Sequence, residues 1–155
     1  LPRSSGVGLL ALAVTLSGLV VGCSATPPAP IETPTVSGST LAMCQAAQLK
    51  LPGSLSGQAR RADGAATVAS WGEQDRLVWR CGAGVPAALQ PTSRCDVVND
   101  VGWFSEDLGT AYRFTTIGRQ TQIEVTVPHA YAPEADALVD LTESVKVIPE
   151  VKPCV

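Results

Sequence analysis

Apolar and polar positions alternate along the C-terminal two thirds of the chain in two distinct periods. Ile123, Val125 and Val127 alternate with Glu124 and Thr126, and Leu77 and Trp79 alternate with Val78 and Arg80. A period of two marks a half-buried strand. Strands are predicted over residues 66–71, 76–81, 95–98, 111–117 and 121–127. Gly72-Glu73-Gln74-Asp75 joins the first pair as a hairpin, Asn99-Asp100 turns the chain after the third, and Gly118-Arg119 separates the last pair before Pro128. Trp103 and Phe104 are expected to pack over the core edge. Two segments follow helical spacing instead. Cys44, Ala47 and Leu51 mark a helix over residues 41–50, capped by Ser39 or Thr40 and ended before Pro52-Gly53. Ala137, Leu138, Leu141 and Val145 mark a second over residues 133–145. Helix, strand run and helix in that order predict an α+β fold, an antiparallel sheet of about five strands with two helices packed on one side.

The N-terminal part has neither period. Arg3 is followed by an apolar run over residues 7–21, interrupted only by Gly8, Thr15, Ser17 and Gly18. A spanning helix needs roughly 20 apolar residues, so this shorter run reads as a signal peptide. The run closes on Leu19-Val20-Val21-Gly22-Cys23. Small apolar residues before a cysteine resemble the lipobox of bacterial lipoproteins rather than the Ala-x-Ala site of an ordinary secretory signal. The resemblance implies a diacylglyceryl group on the Cys23 thiol and cleavage before it. Two acyl chains anchor stably where one is marginal. Membrane lipid, through acylated Cys23, is then a partner, and the extracytoplasmic face of the cell membrane is the location.

Residues 23–39 are expected to form a tether. Pro27, Pro28, Pro30 and Pro34 stand among Ser, Thr, Ala and Gly, with too little apolar surface to offset the entropy of ordering. Extended at about 3.1 Å per residue, such a segment reaches up to about 50 Å. Residues 40–155 remain as a single globular domain.

Charge narrows the class of partner. The chain carries a formal net charge of −3, and loss of Arg3 with the signal leaves ten basic against fourteen acidic residues. A net negative domain is a poor match for nucleic acid or anionic lipid. Arg outnumbers Lys eight to three, which with abundant Ala, Val and Gly reads as the codon bias of a GC-rich genome.

Cys23 aside, Cys44, Cys81, Cys95 and Cys154 remain, and four cysteines in an exported domain imply disulfides. Three connectivities exist. Cys81 and Cys95 enclose a loop with Pro86 and Pro91 and are expected to pair. Cys44 and Cys154 lie near the two ends of the domain and are expected to staple them. No Cys-x-x-Cys spacing points to zinc, and no metal or cofactor site is expected.

Candidate chemistry is sparse. His129 is the single histidine, and Glu124 and Asp136 are near it in sequence, but no Gly-x-Ser-x-Gly elbow accompanies it. No catalytic residue is assigned. Gly82-Ala83-Gly84 lacks the third glycine and the helix of a dinucleotide fingerprint. Arg80, Arg94, Arg113 and Arg119 suit an anionic group, because guanidinium forks match carboxylate and phosphate. Ion pairing with Glu124, Asp96 or Asp100 is the competing reading. Trp71, Trp79 and Trp103 read as core first and as pocket lining second. Arg80, Arg94, Arg119 and Trp103 are the candidate ligand contacts.

Trp79-Arg80-Cys81-Gly82, Val85-Pro86, Pro91-Thr92-Ser93-Arg94-Cys95 and Val98-Asn99-Asp100-Val101-Gly102-Trp103-Phe104 resemble the actinobacterial lipoprotein family DUF3515. Phe114-Thr115-Thr116-Ile117-Gly118-Arg119, Ile123-Glu124-Val125-Thr126-Val127-Pro128 and the tail at Cys154 fit it as well. The family pattern has Gly after the Asn and Asp before the Trp. Here Asp100 and Gly102 stand exchanged, so no ligand role is given to that acid. The resemblance implies an anchored envelope protein and supplies no activity. The expected function is a non-enzymatic cell-envelope binding or interaction module with an envelope protein as partner. The alternative is an envelope hydrolase or small-ligand carrier with its site at the loop between Cys81 and Cys95.

Overall fold

Strand alternation decides which side of the sheet is dry. The computed structural model describes residues 1–2, 29–62 and 64–154; the apolar run over 7–21, the lipobox and Cys23 lie outside the described residues. The elements are α1 (Gly38–Gln48), β1 (Ser54–Leu55), β2 (Gln58–Ala59), β3 (Val68–Trp71), β4 (Leu77–Cys81), β5 (Asp96–Val98), β6 (Val101–Asp107), β7 (Ala111–Thr116), β8 (Ile123–Pro128), a 3₁₀ turn (His129–Tyr131) and α2 (Asp136–Lys146). Strands β3 to β8 form one antiparallel sheet in the order β3-β4-β8-β7-β6-β5, and β1 and β2 pair separately.

Register places Ala69, Trp71, Leu77, Trp79, Cys81, Ile123, Val125, Phe114 and Trp103 on one face, and all are buried. Helix α1 meets this inner face with Cys44 and Ala47, and α2 with Leu138, Leu141 and Val145. The helices touch each other, so both lie on the same side. Each of the three tryptophans is fully buried. An indole removes roughly 150–250 Å² from water, worth on the order of 5 kcal/mol as an upper bound. Among the described residues no helix is long and apolar enough to cross a membrane.

The sheet has six strands where the alternation predicts about five. The additional strand is β6, whose sequence, with Gly102 and Phe104 on one face and Val101, Trp103 and Ser105 on the other, hides the period. Asn99 and Asp100 take φ of 48° and 64° in the two-residue loop between β5 and β6. Positive φ at both central positions is the geometry of a type I′ hairpin, which Asn and Asp tolerate. Helix α1 starts at Gly38 with Ser37 at its N-cap, so Ser39 and Thr40 lie inside the first turn rather than capping it. Helix α2 starts at Asp136 rather than at residue 133.

The disulfide pairing differs from the expected one. Cys44 bonds to Cys81 and Cys95 to Cys154, with Cα–Cα separations of 5.6 and 6.0 Å. Sheet parity is the reason. Cys81 follows Leu77 and Trp79 on the inner face, against Cys44 of α1. Cys95 lies on the outer side, where a Cβ on Gly102 would run into the sulfurs of Cys95 and Cys154. Cys81 and Cys95 therefore point to opposite faces and cannot meet. The same contact accounts for glycine at position 102.

The fold also starts earlier than composition predicts. Residues 29–36, assigned to the tether, run along the outer face as an arm. Arg76 donates to the Ala29 carbonyl, Arg80 lies 3.4 Å from Glu32, and Thr67 Oγ1 donates to the Pro34 carbonyl at 3.2 Å. Val36 packs on the core, close enough to Gly82 that a Cβ there would overlap it. Proline is tolerated in such an arm because no sheet ladder calls on its missing N–H.

At the other terminus the tail docks on the β7–β8 turn. Gly118 carbonyl accepts from the Val151 and Lys152 N–H groups at 2.7 and 3.1 Å, and Gln120 N–H donates to Pro149 at 2.9 Å. Gly118 takes φ of 70°, and a Cβ there would overlap the Lys152 carbonyl.

Non-reducing peptide mapping should recover Cys44 linked to Cys81 and Cys95 linked to Cys154; a Cys81–Cys95 peptide would contradict the sheet parity. Gly118→Ala combines a disfavoured φ with this overlap and should destabilise by more than about 1 kcal/mol in a denaturant titration.

Candidate functional site

Strand β6 is longer than its edge neighbour. β5 pairs only with Val101, Gly102 and Trp103, and β6 runs on to Asp107. Helix α2 starts at Asp136, so the sheet beside its first turn is not fully covered. A groove of about 510 Å³ opens there. Phe104, Tyr112, Phe114 and Pro133 give it an apolar lining, and Ser93, Arg94, Asp96, Ser105 and Glu134 give it polar edges. Tyr112 and Phe114 stack with ring centroids 5.8 Å apart. The volume lies within the roughly 300–1,000 Å³ of sites that take small ligands or anchoring side chains.

The edges of the groove are largely self-paired. Arg94 Nε donates to Asp96 Oδ1 at 2.5 Å, and Ser105 Oγ donates to Asp96 Oδ2 at 3.0 Å. The Arg94 side chain is 88% exposed, which leaves its guanidinium accessible to a further anion.

At the other end stands His129. Its Nδ1–H donates to Glu134 Oε1 at 2.5 Å, its Nε2–H to Asp107 Oδ1 at 3.3 Å, and its ring meets Tyr112 edge-on. Carboxylates only accept, so both contacts are made in full when the imidazole carries both protons. The hydrogen bond to Glu134 holds the His129 pKa above its usual 6.5, with Asp107 adding to it. The Gly109 N–H, with His129 behind it, holds Asp107 below 3.8, and His129 holds Glu134 below 4.5.

The remaining candidate contacts are not brought together. Trp103 is fully buried in the core and offers nothing to a ligand. Arg119 is buried, with Nη1 donating to the Ile148 carbonyl at 3.1 Å, so it holds the tail. Arg80 lies on the outer face, 3.6 Å from its cross-strand partner Glu124. Arg113 makes a bidentate pair with Glu106, both contacts at 2.9 Å, across β6 and β7. Arg94 alone reaches the groove. Phe104, Tyr112, Phe114 and Glu134 are lining residues that sequence reasoning missed. The signal for two of them was present, because Tyr112 and Phe114 share a face at strand spacing. Among the described residues no three His, Cys, Asp or Glu side chains are placed to hold a metal ion.

The charge state of the cluster sets a pH window. A raised His129 pKa means its pairing stabilises fully below pH 6.5 and is lost as pH rises through the higher native value. Depressed carboxylate values mean that the contributions of Glu134 and Asp107 are present above 4.5 and 3.8 and are lost as pH falls through the native values. The cluster is strongest between these limits. The single imidazole should titrate by proton NMR with a midpoint above 6.5, and Glu134→Gln should lower it; a wild-type midpoint at or below 6.5 would contradict the geometry.

No curated protein and no solved structure matches the chain. A family model described as a protein of unknown function does, over residues 5–153. That match takes in the arm, every strand of the sheet, both helices and the docked tail as far as the residue before Cys154, and the chain belongs to the DUF3515 family.

Proposed function

We propose that this chain is an exported actinobacterial lipoprotein, anchored through Cys23 to the extracytoplasmic face of the cell membrane, whose domain is a non-enzymatic binding module for an envelope protein. The groove carries the binding part of this reading: an aromatic lining of binding-site size beside an exposed arginine. The His129 contacts favour binding over catalysis. Both ring nitrogens face carboxylates, so neither is turned to a nucleophile.

The lipobox supports the anchor, and the arm is consistent with it. Six positions along the chain separate Cys23 from Ala29. At roughly 3.3 Å per residue they span at most about 20 Å, well short of the reach expected of a free tether. The arm lies on the outer face beside β4, whereas the groove opens beside β6 on the opposite side of the sheet. A bilayer close to the arm leaves the groove accessible. Ser93 and Arg94, from the end of the loop that follows Cys81, also line the groove, which favours a small-ligand carrier as the second reading.

Two variants test the proposal. Cys23→Ser should move the protein out of the membrane fraction or leave it unprocessed; unchanged lipid labelling would overturn the anchor. Ser105→Trp, which fills the groove, should abolish co-purification of a partner from solubilised membranes while the fold persists. An undiminished partner set would overturn the groove as the contact surface, and loss of a bound small molecule instead would select the carrier.

A further inference from the structure

We propose that the groove receives an extended peptide segment of the partner, added as a strand along the free edge of β6; this rests on the groove being the contact surface. The Gly102 carbonyl accepts from Ile117 N–H at 2.8 Å, on the β7 side. Backbone groups alternate along a strand, so Phe104 and Glu106 also face β7, and Val101, Trp103, Ser105 and Asp107 face the other way. Val101 and Trp103 meet Val98 and Asp96 of β5 there. Ser105 and Asp107 lie past its end, and neither makes a backbone hydrogen bond on that side to any described residue.

The open edge has a structural cause. Continued in register, residues 93–95 would cover Phe104, Ser105 and Glu106. Cys95 is instead bonded to Cys154 on the outer side, and residues 93–95 make no backbone hydrogen bond to β6. Two residues of β6 are left with outward N–H and C=O groups beside an aromatic groove. An unpaired strand edge is a template for another extended backbone, and a side-chain pocket next to it adds selectivity.

Register fixes the chemistry of the segment. The peptide residue opposite Ser105 would point to the inner face, over Tyr112 and Phe114, where a large apolar side chain fills the groove. In an antiparallel segment, as β5 is to β6, the residue two positions earlier would stand opposite Asp107. Asp96 and Glu106 are tied to Arg94 and Arg113, and Glu134 is largely buried against His129. Asp107 meets Gly109 N–H and His129 through Oδ1, but at 57% exposure it is the most accessible carboxylate of the group and is open to Lys or Arg. The partner segment therefore carries an aromatic or large aliphatic residue preceded two positions earlier by a base.

The test uses the full chain in detergent micelles and a fluorescent octapeptide of alternating Val and Thr, with one Phe and a Lys two residues earlier. Anisotropy should show saturable binding, and hydrogen exchange should slow at the Ser105 and Asp107 amides. N-methylation of the peptide bonds facing β6 should weaken binding at least tenfold, as should Phe to Ala in the peptide. Ser105→Pro removes an outward N–H that the ladder to β7 does not use, so circular dichroism should be unchanged while binding falls at least fivefold. Absence of saturable binding, or equal binding of the N-methylated peptide, overturns strand addition. If strand addition fails while Ser105→Trp still costs the cellular partner, the groove reading stands without it; if Ser105→Trp has no effect either, both fall.

Discussion

Burial of one face of the sheet beneath two helices is the constraint on which the rest of the molecule depends. Trp71, Trp79, Trp103, Ile123 and Val125 have no solvent exposure, and the helices that cover them contribute mostly small or aliphatic side chains. Because strand side chains alternate, this one requirement fixes register across the six strands and sends every intervening residue outward. It also decides which cysteines can meet. Cys81 belongs to the dry face and is tied to α1, whereas Cys95 belongs to the other face and is tied to the tail.

The outer face is occupied in a different way. Cross-strand pairs such as Arg80 with Glu124 and Arg113 with Glu106 cover its middle. The two ends of the domain cover its margins, the arm along β3 and β4 and the Cys154 tail beside Gly102. Both ends are thereby part of the fold. The arm extends the fold to Ala29, and the tail ties Cys95 to the outer side past the end of β5. The groove lies where neither the helices nor these ends cover the β6 edge, so groove and stapled fold share one origin.

Much of this was legible in the sequence, for reasons that differ by element. The strands β4, β7 and β8 and the helix α2 declare themselves by clean periodicity, and Asn99-Asp100 declares a turn because few residues accept positive φ twice in succession. Strand β6 was obscured because its outer positions serve a disulfide at Gly102 and an ion pair at Glu106 rather than solvent. The arm was hidden because proline-rich composition reports the absence of a self-sufficient core, not the absence of a surface to lie on. Of the candidate contacts, Arg94 reaches the groove, while Arg80, Arg119 and Trp103 are used by the fold itself. Residue type alone does not distinguish an arginine that awaits a ligand from one already satisfied by a carbonyl.

The proposed contact surface of this DUF3515 protein is the groove between the β6 edge and the approach to α2. A photo-crosslinking side chain at position 94, on the rim, compared with one at position 49 tests it directly, since Arg94 and Leu49 are both largely exposed. Irradiation of intact membranes should give a discrete adduct from position 94 and none from position 49. The same adduct from both positions, or from position 49 alone, would contradict the account.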